Sequence, residues 1–151
     1  MPGTIESVWT VATDSERFPS FFDGFAIIPS VDRVEPLYET PKVGKKRRIH
    51  NSDGSVLEEE IVVFSPSQEH RYRLISGFTF PFSWMVHGAE GVWTFQACTE
   101  GGVNVEWRYT FHVRALLLSP LTYLVAHLFF YRAMLRCMEK MAMVTAQDHQ
   151  E

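Results

Sequence analysis

The sequence predicts an α+β domain in which a curved antiparallel sheet of about six or seven strands wraps around one long C-terminal helix. Two observations carry this prediction. Apolar and polar residues alternate with a period of two through the middle of the chain, and residues 119–147 change to a period of 3.6. Two short helices are predicted before the sheet. At 151 residues, the chain is expected to form a single domain over residues 1–151.

The predicted C-terminal helix begins at Ser119-Pro120, where a capping hydroxyl precedes a proline suited to the first turn. We expect the fold to grip this helix by one apolar stripe, made of Leu121, Leu124, Leu128, Tyr131, Leu135, Met138 and Ala142. Phe129 and Phe130 lie off the stripe, so we expect them to form a rim that contacts lipid or a second subunit. Polar interruptions argue against a membrane span, which needs about 20 nearly uncharged residues.

The short helices are predicted at residues 4–13, capped by Thr4, and at 14–24. The strands are predicted at residues 31–38, 45–51, 55–64, 69–76, 91–98 and 103–114, with an aromatic connection over 77–88. The last strand alternates most cleanly, with its apolar side chains on one face and its polar ones on the other. Such a strand belongs to a sheet covered on a single side.

The composition limits the possible functions. A net charge of −4 gives no reason to expect a nucleic-acid partner, and the basic run 45–48 splits between the two faces of a strand. The two cysteines, Cys98 and Cys137, are too few for a disulfide scaffold, and the six histidines form no ligand cluster, so no metal and no cofactor are expected. Without a signal-peptide pattern, the protein is expected to be cytoplasmic.

One hairpin predicts a charged pair inside the sheet. A turn at 52–54 places Asn51 opposite Ser55, and counting outward places Arg47 opposite Glu59 on the inner face. A buried charge pair is unfavourable unless it is well hydrogen-bonded. Two interpretations stay open: a structural ion pair at the sheet rim, or a polar anchor or acid–base group in a cavity wall.

Aromatic side chains are expected to share that inner face. Alternation places His70 and Tyr72 inward, and the last hairpin adds Trp93, Phe95, Trp107 and Tyr109. His127 and Tyr131 are neighbours on the C-terminal helix. The aromatic side chains could be plain core, or they could line an enclosed apolar pocket of about 300–1,000 Å³ for a flat ligand. His127, at the edge of the apolar stripe, could be a satisfied rim residue or a base. We take Glu59, Arg47 and Tyr72 as the catalytic candidates. The ligand-binding candidates are Arg47, Glu59, His70, Tyr72, Trp93, Phe95, Trp107, Tyr109, His127 and Tyr131.

Several segments resemble one superfamily in order and spacing: VWTVATDSERFPSFF at 8–22, VGKKRRIHNSDGS at 43–55, LEEEIVVFSPSQEHRYRL at 57–74, GVWTF at 91–95 and GGVNVEWRYTF at 101–111. The chain resembles the START-like (SRPBCC, helix-grip) superfamily, above all its bacterial polyketide cyclase/dehydrase and lipid transport-like members. The resemblance implies a cavity between sheet and helix that holds an apolar molecule. It also implies a strand before the first helix, which here is short or missing, begins upstream, or is supplied by another chain.

Three functions follow from the resemblance and the residues. The first is a carrier or sequestering protein for an apolar lipid, polyketide or quinone. The second is a cofactor-free polyketide cyclase or dehydratase that uses acid–base residues in the same cavity. The third is a partner-dependent module, with a homodimer or a peripheral membrane contact formed through Phe129 and Phe130.

Overall fold

The computed structural model describes residues 1–148, so the last three residues of the domain predicted over 1–151 lie outside the described part. The strands are β1 (Val31–Pro36), β2 (Lys46–Asn51), β3 (Val56–Ser65), β4 (Glu69–Ser76), β5 (Val86–Ala97) and β6 (Val103–Val113). The helices are α1 (Ile5–Thr13), α2 (Phe18–Phe21), α3 (Phe82–Met85), α4 (Ser119–Val125) and α5 (Tyr131–Asp148). A 3-10 turn, Leu116–Leu118, precedes α4, and a π-helical segment, Ala126–Phe130, joins α4 to α5.

The six strands form one antiparallel sheet in the order β1 to β6. The predicted α+β class and the sheet with a long C-terminal helix are therefore confirmed. Pro36 lies on β1, an edge strand, where its missing backbone donor is tolerated. The Thr4 side chain accepts a hydrogen bond from the Ser7 backbone N–H at 3.2 Å and caps α1 as predicted.

The connection predicted over residues 77–88 is wrong at its end. It contains α3, and β5 begins at Val86 rather than at Gly91. The earlier start is explained by pairing on both sides, since Val86 lies opposite Val113 of β6 and Ala89 lies opposite Leu74 of β4. The residues before Val86 are rich in aromatic side chains and do not alternate between apolar and polar. The sequence pattern therefore does not show where β5 begins.

Strand β6 forms the second edge of the sheet. Its side chains alternate between partly buried and exposed along the whole strand, as the sequence predicts. At its first residue, Val103, the backbone N–H and C=O both bond to Met1, at 2.8 and 2.6 Å. Among the described residues, no strand pairs with this edge beyond Val103.

The helix stripe predicted to be gripped faces mostly outward. Leu121, Leu124, Leu128, Tyr131 and Leu135 are exposed. The fold instead buries a face made of Ala133, Met134, Cys137, Met141 and Thr145. Small residues at 133 and 137 let the backbone of α5 approach the core closely. Bulky leucines on the opposite side would hold it away.

Phe129 and Phe130 do not form the expected outer rim. Both are partly buried and pack against the hydrophobic core that α1, α2, α5 and the inner sheet face share. By length and composition alone, the helical segment Leu116–Asp148, with 33 residues, is long and apolar enough to cross a membrane. In the folded protein, however, α5 lies against the core through the face described above.

Candidate functional site

A cavity of about 120 Å³ lies between the inner face of the sheet and the segment around α2. Its apolar lining includes Phe22, Phe78, Phe82, Trp107, Phe111 and Phe130. We call this space the first cavity. It is smaller than the enclosed pocket of about 300–1,000 Å³ expected from the sequence. Aromatic rings explain the difference: Trp107 stacks on Trp93 at 4.3 Å between ring centroids, and Phe130 packs on Tyr109 at 4.6 Å.

The Arg47–Glu59 pair lies at the polar end of this cavity. Arg47 and Glu59 are directly opposite on β2 and β3, as predicted, and the Arg47 Nε donates to the Glu59 Oε2 at 2.6 Å. The two side chains are only 11% and 9% exposed, so this is not a pair at the sheet rim. Burial by itself would lower the pKa of Arg47, but the Glu59 carboxylate outweighs it and raises the pKa. Arg47 therefore stays charged.

Of this pair, Glu59 lines the first cavity. The guanidinium of Arg47 lies 5.5 Å from the centre of the Tyr72 ring and 3.5 Å from the Ser15 hydroxyl. Arg47 thus lies behind the carboxylate and fixes its position. A ligand in the cavity meets an acceptor oxygen in a mainly apolar wall.

Two tyrosines add phenol groups to the wall of this cavity. Tyr72 accepts a hydrogen bond from the indole Nε1 of Trp107 at 3.1 Å, and both Tyr72 and Tyr109 line the first cavity. Burial raises the pKa of both phenols well above the usual value, and the Glu59 charge raises that of Tyr72 further. Both hydroxyls are therefore neutral donors at ordinary pH.

Gly91 determines where the Tyr72 ring lies. It is opposite Tyr72 on β5, and the phenol ring packs directly over its backbone. A Cβ at position 91 would overlap that ring. The glycine therefore makes room for Tyr72, which in turn holds Trp107 in the cavity wall.

A second cavity of about 530 Å³ lies between β6 and the helical segment 119–134. It opens to solvent and is lined by His127 and Tyr131, whose rings stack at 5.6 Å. Thr122 also lines it, and the Thr122 Oγ1 atom is buried without a hydrogen-bond partner among the described residues. Trp107, Tyr109, Phe111 and Phe130 line both cavities, so Phe130 forms part of the wall between them.

The structure divides the residues selected from the sequence into three groups. Glu59, Tyr72, Trp107 and Tyr109 line the first cavity, and His127 and Tyr131 line the second. His70, Trp93 and Phe95 are buried in the core and line neither. His70 packs against Trp9, Phe64 and Tyr72, and burial followed by the Arg47 charge lowers its pKa to about 3. It is a neutral core residue.

The sequence profile of one family, described as "Polyketide cyclase / dehydrase and lipid transport", matches residues 1–144. The chain belongs to this family. Its solved structural neighbours confirm the START-like fold that the sequence resembles. No curated protein is similar enough in sequence to be matched.

Three solved structures with a similar fold are XoxI, a major latex-like protein and norcoclaurine synthase. XoxI from Bacillus cereus is 22% identical, with 93% of this chain and 89% of that one covered and a TM-score of 0.61. Ginseng major latex-like protein 151 from Panax ginseng is 14% identical over 91% and 86%, with a TM-score of 0.64. Norcoclaurine synthase from Thalictrum flavum, in complex with dopamine and hydroxybenzaldehyde, is 15% identical over 95% and 82%, with a TM-score of 0.62. At these identities the likeness shows the fold alone.

Family resemblance and alternation miss several cavity residues. Phe22, Phe78, Phe82 and Phe130 come from connections and from the π-helical segment, where no period assigns a face. Asn51 also lines the first cavity, and its side-chain amide donates to the Ser55 hydroxyl at 2.9 Å. The hairpin register could have found Asn51, because it lies two residues beyond Ile49 on the inner face.

Metal chemistry has no site in the part of the chain that is described. Among residues 1–148, no group of three or more His, Cys, Asp or Glu side chains is placed to hold an ion. The first cavity offers a ligand a mainly apolar wall and the polar side chains of Glu59, Tyr72, Tyr109, Asn51, Ser55 and Thr79.

Proposed function

We propose that this protein binds an apolar small molecule with a hydrogen-bonding group in the first cavity and acts as its carrier or sequestering protein. One observation carries the proposal: the Glu59 carboxylate faces a cavity whose walls are otherwise mainly apolar. A buried carboxylate is unfavourable unless a partner stabilises it. Arg47 stabilises the charge and leaves the carboxylate in reach of a ligand. Membership of a lipid-transport and cyclase family supports the same reading.

The polar groups suggest the chemistry of the ligand. Glu59 accepts hydrogen bonds and so favours a hydroxyl or an amine on the ligand. Tyr72 and Tyr109 remain neutral and can donate to a carbonyl or an ether oxygen. A volume of about 120 Å³ suits a single aromatic ring. The norcoclaurine synthase neighbour, solved with dopamine and hydroxybenzaldehyde, supports a ligand of this phenolic class.

A longer ligand would need both cavities. Phe130 forms part of the wall between them and belongs to the π-helical segment, a local irregularity that often occurs at functional sites. Rotation of this ring would join the first cavity to the second, where the unpaired Thr122 hydroxyl offers one further hydrogen bond. We therefore expect the ligand's ring to lie by Glu59 and any chain to run past Phe130.

A cofactor-free cyclase or dehydratase is the second candidate function. It is favoured by the placement of a carboxylate, Glu59, and a neutral phenol, Tyr72, around the same cavity. Glu59 would accept a proton from the ligand carbon or hydroxyl, and Tyr72 would donate to the oxygen that gains charge. Arg47 opposes this role because it stabilises the ionised carboxylate through a bond of 2.6 Å.

Ligand capture followed by one substitution tests both functions. Native mass spectrometry of the purified protein should detect a bound apolar molecule, and isothermal titration with 4-hydroxybenzaldehyde should give one site. Glu59→Gln should weaken binding of the captured molecule about tenfold, the loss of one charged hydrogen bond. Glu58→Gln is the matched control, because Glu58 is the preceding residue of β3, its carboxylate lies 3.0 Å from the Lys46 Nζ, and it does not line the cavity.

Two outcomes separate the candidates. A captured molecule released unchanged favours the carrier. If it is converted to a new product at a rate that falls about 10²–10⁴-fold in Glu59→Gln, the enzyme replaces the carrier. No captured molecule, and equal affinities for the probe in Glu59→Gln and Glu58→Gln, would remove the first cavity as the binding site.

A further inference from the structure

A group of large apolar side chains projects into solvent at one end of the molecule. Leu116 and Leu117 in the 3-10 turn are 86% and 93% exposed, and Phe80 and Trp84 around α3 are 81% and 56% exposed. We call these four residues the apolar tip. Scattered exposed hydrophobic residues are ordinary, but a group of this size indicates a contact surface.

The two segments that carry the tip are held side by side. The Arg114 Nε donates to the Ser83 backbone oxygen at 3.0 Å, and the Arg114 backbone N–H donates to the Met85 oxygen at 2.9 Å. These bonds fix the end of β6 against α3. The tip is therefore one surface built from two parts of the chain, not two separate loops.

A stripe of leucines extends the tip along the following helix. Leu121, Leu124, Leu128 and Leu135 are all exposed, on the side of the helix opposite its buried face. Only 11% of the most apolar 18-residue window in this helical segment is buried. A helix with one apolar face toward solvent and the other in a core needs a second apolar medium to cover it.

The two segments that form this surface carry arginines but no acidic residues. No Asp or Glu occurs between Glu106 and Glu139, whereas that interval holds four arginines, Arg108, Arg114, Arg132 and Arg136. The segment that carries α3 is also free of acidic residues, from residue 70 to residue 89. The chain as a whole has a net charge of −4, so its acidic residues lie elsewhere in the sequence and these segments differ from the rest in carrying only positive charge.

This combination selects among the possible occupants. The spacing of Leu117, Leu121, Leu124 and Leu128 would suit a second copy of the helix. Arg114, Arg132 and Arg136, which have no carboxylate partner among the described residues, would however repel their copies across such a dimer. An anionic lipid surface satisfies both features, since it takes up the leucines and attracts the arginines. We propose that the apolar tip and the leucine stripe dock this protein onto an anionic lipid bilayer, with α4 lying in the interface.

Docking of this kind would bring the first cavity to the lipid. Phe78 and Phe82 line that cavity, while Phe80 and Trp84 project outward from the same connection. The surface contact needs no ligand in the cavity, so it can be tested on the empty protein. The outcome of this test does not depend on the function proposed for Glu59.

Vesicle cosedimentation tests the proposal. The full-length protein is mixed with vesicles of phosphatidylcholine alone or with 30% phosphatidylglycerol (about one lipid in three, to give an anionic surface), at low and at high salt. We expect binding to the anionic vesicles that weakens with salt. The double substitution Leu116→Ser and Leu117→Ser should weaken it by about tenfold or more, since two leucines leave the apolar phase.

The control replaces two other exposed apolar residues. Val43 and Met143 are each 64% exposed and lie outside the tip and the stripe, so Val43→Ser with Met143→Ser should leave vesicle binding unchanged. Both double variants should unfold at the same temperature as the parent, because all four side chains are solvent-exposed. An equal loss in the two variants would overturn the proposal. So would no binding to either vesicle, or a concentration-dependent dimer that Leu121→Ser and Leu124→Ser abolish.

Discussion

The Arg47 and Glu59 side chains form an ion pair inside the sheet, with the Nε and Oε2 atoms 2.6 Å apart and both side chains almost fully buried. Their position follows from the hairpin register alone, since each lies directly opposite the other on β2 and β3. Such a pair is weak evidence for stability, because desolvation offsets much of the attraction. Its loss is different, because one charge then stays behind without its partner.

Removing one member of this pair should destabilise the fold strongly. Glu59→Gln leaves the Arg47 guanidinium buried and uncompensated, and the free energy of unfolding should fall by about 3–5 kcal/mol. Arg47→Met should have a similar effect. Urea denaturation followed by circular dichroism measures both. The double variant should lose clearly less than the sum of the two, and additive losses would show that the residues do not interact.

We expect a substitution at Gly91 to destabilise the protein through its contact with Tyr72, not through backbone strain. Gly91→Ala should push the Tyr72 ring out of place, break its bond with Trp107 and lower the free energy of unfolding by about 1–3 kcal/mol. Gly88→Ala in the same strand is the control, since its Cβ would lie 3.6 Å from the Leu74 oxygen, an ordinary contact. Tyr72→Phe should reproduce the loss of the hydrogen bond without the clash. Equal stability of the two alanine variants would contradict this account.

The buried His70 predicts that the protein loses stability in mild acid. Burial, with the Arg47 charge, holds the pKa of folded His70 at about 3, and the unfolded side chain titrates near its ordinary value of 6.5. Between these values the unfolded chain binds a proton that the folded protein does not. Stability is therefore complete above pH 6.5 and should fall as the pH drops, by about 1.4 kcal/mol per pH unit.

Urea denaturation at several pH values from 7 to 5 checks this slope before most carboxylates titrate. His70→Phe should flatten it, because the replacement ring fits beside Trp9 and Phe64 and binds no proton. His127→Gln, at an exposed position, should leave the slope unchanged. A slope that persists in His70→Phe would assign the pH dependence to another group.

The two cysteines should react very differently. Cys98 is exposed, whereas Cys137 is buried and its burial raises the pKa of the thiol to about 12. Because the thiolate is the reactive form, a disulfide reagent should modify one thiol in the native protein and two in denaturant. Cys98→Ser should abolish the native reaction. Rapid modification of Cys137 without denaturant would show that α5 separates from the core.

Phe130 should control how much space the cavities offer. Phe130→Ala removes the ring that packs on Tyr109 and Phe111, and should join the first cavity to the second. We expect stronger fluorescence of the dye anilinonaphthalene sulfonate and a loss of up to about 3 kcal/mol in the free energy of unfolding. Phe80→Ala, at an 81% exposed ring, should change neither. Unchanged dye binding in Phe130→Ala would mean that neighbouring rings fill the gap.

The face on which each side chain lies and the strand register could be predicted from the sequence wherever one face of a strand is exposed to solvent. The face assignment of β6 is confirmed, and so is the pairing of Arg47 with Glu59, because a slip of one residue would place every inner side chain in solvent. The Thr4 cap is confirmed for a similar reason, since a free backbone donor needs a local acceptor.

The helix face and the cavity could not be predicted in the same way. The segment around Leu121 and Phe130 is apolar on nearly every side, so a period of 3.6 fits several faces equally well. The choice depends on close approach at Ala133 and Cys137, which is a property of the packed molecule. The cavity volume depends on how Trp93, Trp107 and Phe130 fill space together, and no local pattern specifies that.

The stacking of Trp93 on Trp107 gives the protein an optical signal of its own. The two indoles lie 4.3 Å apart with their planes 18° from parallel, close enough for their electronic transitions to couple. Folded protein should therefore show a paired positive and negative band in its ultraviolet circular dichroism that the unfolded chain lacks. Since Trp107 lines both cavities, a molecule that enters either one will alter this signal, and occupancy can be followed without any label.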